Sequence, residues 1–350
     1  MRLTHTVTCL LLGLAWTAQA QTITTVAGNS TWGQVYNVAV DNAGNLYVPD
    51  YTKHVVYKVD TLGATTTFAG NGRGGYSGDG ALATNAMLNL PLGTAVAPDG
   101  TVYITDSGND RIRKVAPNGI ITTIAGSVAG FAGDGGPASA ARLNGPASIV
   151  LDSSGNLFFT EIVNWRVRKI AANGTISTVA GTGRCQTQSG DGGFATSADS
   201  CPCWLALGPD GSIYFTDDGD GRLFAFARVR KVGTNGIITT VAGTGVSGFS
   251  GDGGPAASAQ LRSTSGVAVD STGNIYISDA NGARIRKVDT GGIINSFAGT
   301  GVSGAGGDGG PAISAQVKSS IMRRTLPARH DPDNALPIES ELPQNIEQNA

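Results

Sequence analysis

Histidine is nearly missing from this sequence: of 350 residues only three are His, and two of them, His5 and His330, lie close to the ends. His54 is therefore the sole imidazole of the body. That excludes a zinc or copper site built on several histidines, and any Ser-His-Asp triad that does not run through His54. His54 falls in a polar loop, where an exposed neutral side chain is expected. Glutamate is equally scarce, with Glu161 standing alone before Glu339. Charged residues make up 14% of the chain, the formal net charge is −2, and Lys and Arg form no dense cluster. A phosphate-binding surface, and with it nucleic acid as a partner, is excluded on those grounds. No apolar run beyond the first twenty residues is long enough for a membrane span.

The opening residues read as a targeting segment. Met1 and Arg2 give a positive start, Val7 to Trp16 is mostly apolar, and Ala18-Gln19-Ala20 has the small-x-small form of a cleavage site. This pattern predicts a secretory signal over 1–20 and a mature, secreted or periplasmic chain starting near Gln21. Cys9 has no small-residue lipobox before it, which counts against a lipoprotein. Of the four cysteines, Cys185, Cys201 and Cys203 then remain. An oxidising compartment favours a disulfide from Cys185 to Cys201 or Cys203, worth about 3 kcal/mol for a loop of roughly sixteen residues. A Cys-x-Cys metal site lacks the nearby His that would complete it.

What the chain has in abundance is glycine, 52 residues, and much of it is periodic. Ala-Gly pairs close a short apolar run at Thr25–Gly28, Phe68–Gly70, Ile124–Gly126, Val179–Gly181, Val241–Gly243 and Phe297–Gly299. The intervals are roughly 42, 56, 55, 62 and 56 residues, the spacing of a blade array. Each interval carries four strand-like runs separated by Gly-rich turns, as in Gly266–Val269, Ile275–Ser278, Arg284–Val288 and Ile293–Phe297. The shortest interval matches a bare four-stranded blade. The others add about fourteen residues, an insert with Gly-Asp-Gly at its heart. In several copies Pro and a small apolar run follow, as in Pro255–Leu261, which predicts one or two helical turns with Pro at the first helical position.

Gly-Asn-Leu-Tyr-x-x-Asp followed by Arg-Ile-Arg-Lys-Val resembles the NHL repeat, at Gly44–Asp50, Gly100–Lys114, Gly155–Lys169, Gly211–Lys231 and Gly273–Lys287. With the Gly-Asp-Gly-Gly-Pro-Ala insert it is similar to repeat arrays of secreted bacterial NHL proteins and to the NHL propeller of teneurins. The resemblance spans residues 22–317 and implies an all-β fold, a β-propeller of four-stranded NHL blades, five complete plus a partial sixth that begins at Ile293. It implies an interaction platform more than a chemistry. The domain reading is signal 1–20, propeller 21–317 and an unstructured C-terminal tail 318–350. The lone strand Ile23–Val26 lacks an inner neighbour and must pair with the partial copy at Ile293–Phe297 or with another molecule.

Three groups of residues are candidates for chemistry. The acid ending each second strand, Asp50, Asp106, Glu161, Asp217 and Asp279, precedes an Arg that opens the third strand (Arg111, Arg166, Arg284), and repetition in every blade points to a structural Asp–Arg pair or loop cap. The insert aspartates Asp79, Asp134, Asp191, Asp252 and Asp308 read as turn residues capping the helical turn that follows. Calcium is the alternative cofactor reading, but the ion takes six to eight oxygens and each copy offers one carboxylate. One blade departs from the rest, with Asp217, Asp218 and Asp220 beside Phe224 and Phe226 in an enlarged loop, the candidate binding loop. Innermost strands such as Thr94–Val96 and Val267–Val269 offer no ionisable group, an argument against catalysis. The reading is a secreted non-enzymatic scaffold that binds a protein or glycan on the face bearing the inserts, with Tyr76, Phe131 and Phe249 at comparable positions. The alternative is a propeller hydrolase or lyase acting on a sugar, lactone or peptide.

Overall fold

The computed structural model describes residues 21–26, 32–218 and 227–318. The signal segment, Asp220, Phe224, Phe226 and the tail from residue 319 lie outside the described residues. Five four-stranded antiparallel sheets form the blades of a propeller. Blade one comprises Ala39–Val40, Leu46–Asp50, Val55–Val59 and Thr65–Ala69. Blade two comprises Pro91–Val96, Val102–Asp106, Arg111–Val115 and Ile121–Ala125, and blade three Pro146–Leu151, Leu157–Glu161, Arg166–Ile170 and Ile176–Ala180. Blade four comprises Pro202–Leu207, Ile213–Asp217, Arg228–Val232 and Ile238–Ala242. Blade five is Thr264–Val269, Ile275–Asp279, Arg284–Val288 and Ile293–Ala298, with the short strand Gly254–Pro255 added at its outer edge.

The Ala-Gly signature ends each fourth strand for a steric reason. Gly126 has φ 87° and Gly181 φ 95°, a region that side chains resist. A Cβ at Gly126 would also collide with the carbonyl oxygen of Asp110. The insert that follows wedges between blades. Its own turn glycine, Gly133 at φ 97°, packs against Ala141, and Ala138, Ala141 and Leu143 are buried with Phe159 and Ile112 between blades two and three. These seams are where the core sits, because each blade is too thin to bury apolar surface alone.

Four expectations need correction. The helical turns are single 3-10 turns such as Ala138–Ala140, and Pro137 precedes the turn in extended conformation (φ −62°, ψ 131°) rather than opening it. No insert aspartate caps such a turn: none of the 3-10 turns has a side-chain cap hydrogen bond. First strands start earlier than the apolar pattern suggests, at Pro91, Pro146, Pro202 and Thr264, since proline is tolerated as the first residue of a strand. Finally, the lone N-terminal strand does not pair with Ile293–Ala298, the outer strand of blade five. Ile23 bonds instead to the last insert, through Ile23 N–H to Gly310 O at 3.2 Å and Gly309 N–H to Ile23 O at 2.8 Å.

Leu143 is fully buried between blades two and three. Leu143→Ala should destabilise the chain by about 2–5 kcal/mol, the range for emptying a packed core site. Urea unfolding measures it, and a loss below about 1 kcal/mol would show that the inserts are not part of the core.

Candidate functional site

The repeated acids and arginines meet in the seams. In blade two the fully buried Arg113 places Nη1 3.1 Å from Asp106 Oδ2 and Nη2 2.7 Å from Asp79 Oδ1 of the preceding insert. Arg168 does the same with Glu161 (2.8 Å) and Asp134 (2.7 Å), and Arg230 with Asp217 (3.3 Å) and Asp191 (2.7 Å). In blade five Arg286 holds Asp252 at 2.6 Å, but its Nη1 and Asp279 Oδ2 are buried without partners. In blades two to four the partner is thus the third residue of the third strand and not the first. Arg166, which opens a strand, instead donates to the carbonyls of Asn164 and Thr182.

Each second-strand acid has a further duty. Asp106 Oδ1 accepts the Asn89 N–H at 2.7 Å, Glu161 Oε1 that of Asn144 at 2.8 Å and Asp217 Oδ1 that of Cys201 at 2.6 Å, so the acid also anchors the chain entering its own first strand. Burial pushes Asp106 and Asp217 up to about 6, against the pull of these bonds and of the arginine. The insert carboxylates spend their second oxygen on the outer strand: Asp134 Oδ2 on Thr178 at 2.6 Å, Asp191 Oδ2 on Thr240 at 2.6 Å, Asp252 Oδ2 on Ser296 at 2.8 Å. A carboxylate with both oxygens held by donors has little left for calcium. Among the described residues no group of three or more His, Cys, Asp or Glu is placed to hold a metal ion.

Of the candidate loop of blade four the structure describes Asp217 and Asp218, which face different blades. Asp217 is the buried seam acid just described. Asp218 turns to blade five, where its Oδ2 accepts from Ser263 Oγ at 2.8 Å and the Thr264 N–H at 3.1 Å. Burial pushes its carboxyl up to about 7, assisted by Asp217 and Asp279. In the adjoining insert Cys185 is joined to Cys201 across a Cα–Cα distance of 5.1 Å, and Cys203 stands outside that bridge. His54 is only half-exposed and in left-handed conformation (φ 57°), and its Nδ1 accepts the Leu90 N–H at 3.1 Å, a seam role rather than a loop role. Its desolvation lowers the imidazole pKa.

Two surfaces remain for binding. The first is the row of insert aromatics. Tyr76 lies 3.9 Å from the Arg111 guanidinium, Phe131 3.8 Å from that of Arg166 and Phe249 4.0 Å from that of Arg284, and all three residues remain exposed. Exposed Val128 and Val246 lie in the same inserts as Phe131 and Phe249. The second is the axial end of the innermost strands, which the sequence reading missed. Tyr36 meets Tyr51 edge-on at 5.8 Å and Trp204 at 6.4 Å, beside Leu92, Ala147, Ile162 and Val163. Aligning the copies one residue beyond the partner of each second-strand acid (Tyr36 after Val35, Leu92 after Pro91, Ala147 after Pro146) was the signal available for it.

Arg168→Met leaves Glu161 and Asp134 without their cation and should cost about 3–5 kcal/mol in urea unfolding, whereas Arg166→Met should cost less than about 1 kcal/mol. Equal losses would refute the seam assignment. For Asp218, the folded value of about 7 lies above the ordinary 3.8, so the folded chain holds this proton more tightly and stability falls as the pH rises through that window. Asp218→Asn removes the penalty. Its stability relative to the parent should improve by about 2 kcal/mol between pH 5 and pH 8; an offset independent of pH would contradict the assignment.

The profile of the Teneurin NHL domain matches residues 17–132 and 245–306. Teneurin-1 of Gallus gallus is 29% identical over 290 residues, 72% of this chain but 10% of the relative, so the chain spans about a tenth of the length of the curated relatives it matches. Among solved structures, an auxiliary nutrient binding protein from Bacteroides thetaiotaomicron shares 14% identity at a TM-score of 0.54 over 82% of this chain and 63% of its own. A gluconolactonase from Xanthomonas campestris shares 16% at 0.50, over 76% and 75%. Such likenesses show the propeller fold alone. No helix among the described residues is long and apolar enough to cross a membrane. With just over half its length matched by the profile, the chain belongs to the teneurin NHL domain family.

Proposed function

We propose that the chain is an exported, non-enzymatic scaffold that engages a protein or glycan partner on the propeller face bearing the inserts and the loops between second and third strands. The disulfide between Cys185 and Cys201 suits an oxidising compartment. One observation carries the reading. The acids that a catalyst would gather are spent in the seams on arginines and backbone N–H groups, while the same inserts turn Tyr76, Phe131 and Phe249 outward, 44%, 42% and 38% exposed. Rings pinned on guanidinium groups lose little freedom on binding, which suits them as anchors for an apolar patch or a sugar face.

The rival reading, a hydrolase or lyase, rests on Asp218, the one described carboxyl outside the repeated pattern that is held near neutrality. Its Oδ2 is already committed to Ser263 and Thr264.

The test is capture of envelope proteins and glycans on the purified chain, followed by titration of the captured ligand. A triple variant, Tyr76→Ser, Phe131→Ser and Phe249→Ser, should weaken that ligand at least tenfold, at about 1.4 kcal/mol per tenfold. An unchanged affinity would move the site off this face, and turnover of a sugar, lactone or peptide abolished by Asp218→Asn would establish the rival.

A further inference from the structure

Blade five breaks a bond that the three blades before it make. In blades two, three and four the acid ending the second strand meets the buried arginine of the third strand, at 3.1, 2.8 and 3.3 Å. In blade five Asp279 and Arg286 are both fully buried, yet Asp279 Oδ2 and Arg286 Nη1 make no such contact. The Asp279 carboxyl is turned instead to the chain entering its own blade. Its Oδ1 accepts the N–H of Arg262 at 3.0 Å and that of Ser263 at 3.2 Å. Arg286 keeps its other arm, with Nη2 2.6 Å from Asp252 Oδ1 and 3.1 Å from the Ser250 carbonyl of the preceding insert.

One residue accounts for the difference. Three positions after the acid, blades two and three carry Asn109 and Asn164. Each Nδ2 donates to the acid, at 2.8 and 2.9 Å, and to an insert carbonyl, Gly75 O at 2.7 Å and Gly130 O at 2.8 Å. In blade four the insert itself supplies the amide, with Gln188 Nε2 3.0 Å from Asp217 Oδ1. Blade five has Gly282 at the asparagine position. A Cβ there would stand 2.5 Å from Asp279 Oδ2 and 2.6 Å from its Cγ, so the carboxyl lies where a side chain would be. Gly282 is not among the glycines of positive φ, and its backbone is therefore open to asparagine.

We propose that Gly282 gives Asp279 two stations, one on the Arg262 and Ser263 N–H groups and one on Arg286, and that the seam between blades four and five is thereby the joint at which the propeller loosens first. A guanidinium held on both arms is fixed to its own blade and to the insert before it. Held on one arm, Arg286 can travel with the insert. The observed station leaves a buried donor and a buried acceptor unmet, and the second station meets both while releasing the entering strand, which keeps the two close in energy. The insert that bears Phe249 rides on this joint, whereas those that bear Tyr76 and Phe131 are held by both arms of Arg113 and Arg168.

Amide hydrogen exchange of the full chain, followed by NMR, tests this. The N–H groups of Gly253 and Ala256 cross the joint to Ile294 O and Gly292 O, as those of Gly135 and Ala138 cross the seam between blades two and three to Ile176 O and Gly174 O. Corrected for intrinsic rates, the first pair should exchange about tenfold faster than the second or more. Gly282→Asn should slow the first pair by about tenfold and leave the second within about twofold. A double-mutant cycle reads the latch itself, with Asp279→Asn and Arg286→Met singly and together in urea unfolding. Their effects on the unfolding constant should multiply to within about twofold in the parent and depart from that product by about tenfold in the Gly282→Asn background. Equal exchange of the two pairs in the parent overturns the proposal. So does a Gly282→Asn chain that is less stable than the parent, or one in which Asp279 and Arg286 remain uncoupled.

Discussion

A guanidinium group with no solvent exposure needs its charge compensated within the protein, and the four fully buried arginines Arg113, Arg168, Arg230 and Arg286 set that demand in blades two to five. In blades two to four it is met from two directions: by the acid ending the second strand of the same blade, and by the aspartate of the insert that precedes it. In blade five the first arm is left open, with Asp279 Oδ2 and Arg286 Nη1 unpaired. The arrangement makes each blade depend on the one before it. Blade n supplies the insert, the insert supplies the carboxylate, and the carboxylate fixes the third strand of blade n+1. The Gly-Asp pair of the insert follows from this geometry, since the glycine lets the chain pass close over an alanine such as Ala141 while the aspartate enters the seam.

Much of this was legible in the sequence. The period, the four strands per period and the structural role of the repeated acids all rest on local patterns that tertiary context does not override. The pairing partners were not legible, because Arg111 and Arg113 are equally plausible by spacing from Asp106. Only the strand pleat decides which of them faces the seam. The same limit hid the insert aspartates, which lie 34 residues from their arginines in three of the four seams. His54 read as a loop residue because its acceptor role depends on Leu90, 36 residues away. The axial cluster of Tyr36, Tyr51 and Trp204 was missed for another reason. The apolar pattern of the first strands begins at Thr94 or Val267, three residues after Pro91 and Thr264 where those strands start, so the opening side chains fall outside it.

The division of labour between ionic interior and aromatic exterior is what gives the scaffold its character. Paired seam charges fix register, and they leave the outward surface of each insert free to differ. The position before Ser/Ala-Gly-Asp carries the exposed rings Tyr76, Phe131 and Phe249 in three inserts, and in a fourth, beside the disulfide, a buried Gln188 that donates to Asp217. A propeller made this way can vary its face without disturbing its seams.

The central claim is that the insert carboxylate and the seam arginine are energetically one unit. A double-mutant cycle on Asp134 and Arg168, with Asp134→Asn and Arg168→Met singly and together in urea unfolding, tests it most directly. The account predicts a coupling energy above about 1 kcal/mol, the double variant losing well under the sum of the single losses. Losses that add to within about 0.3–0.5 kcal/mol would contradict it, and would leave the apolar seams alone holding the blades together.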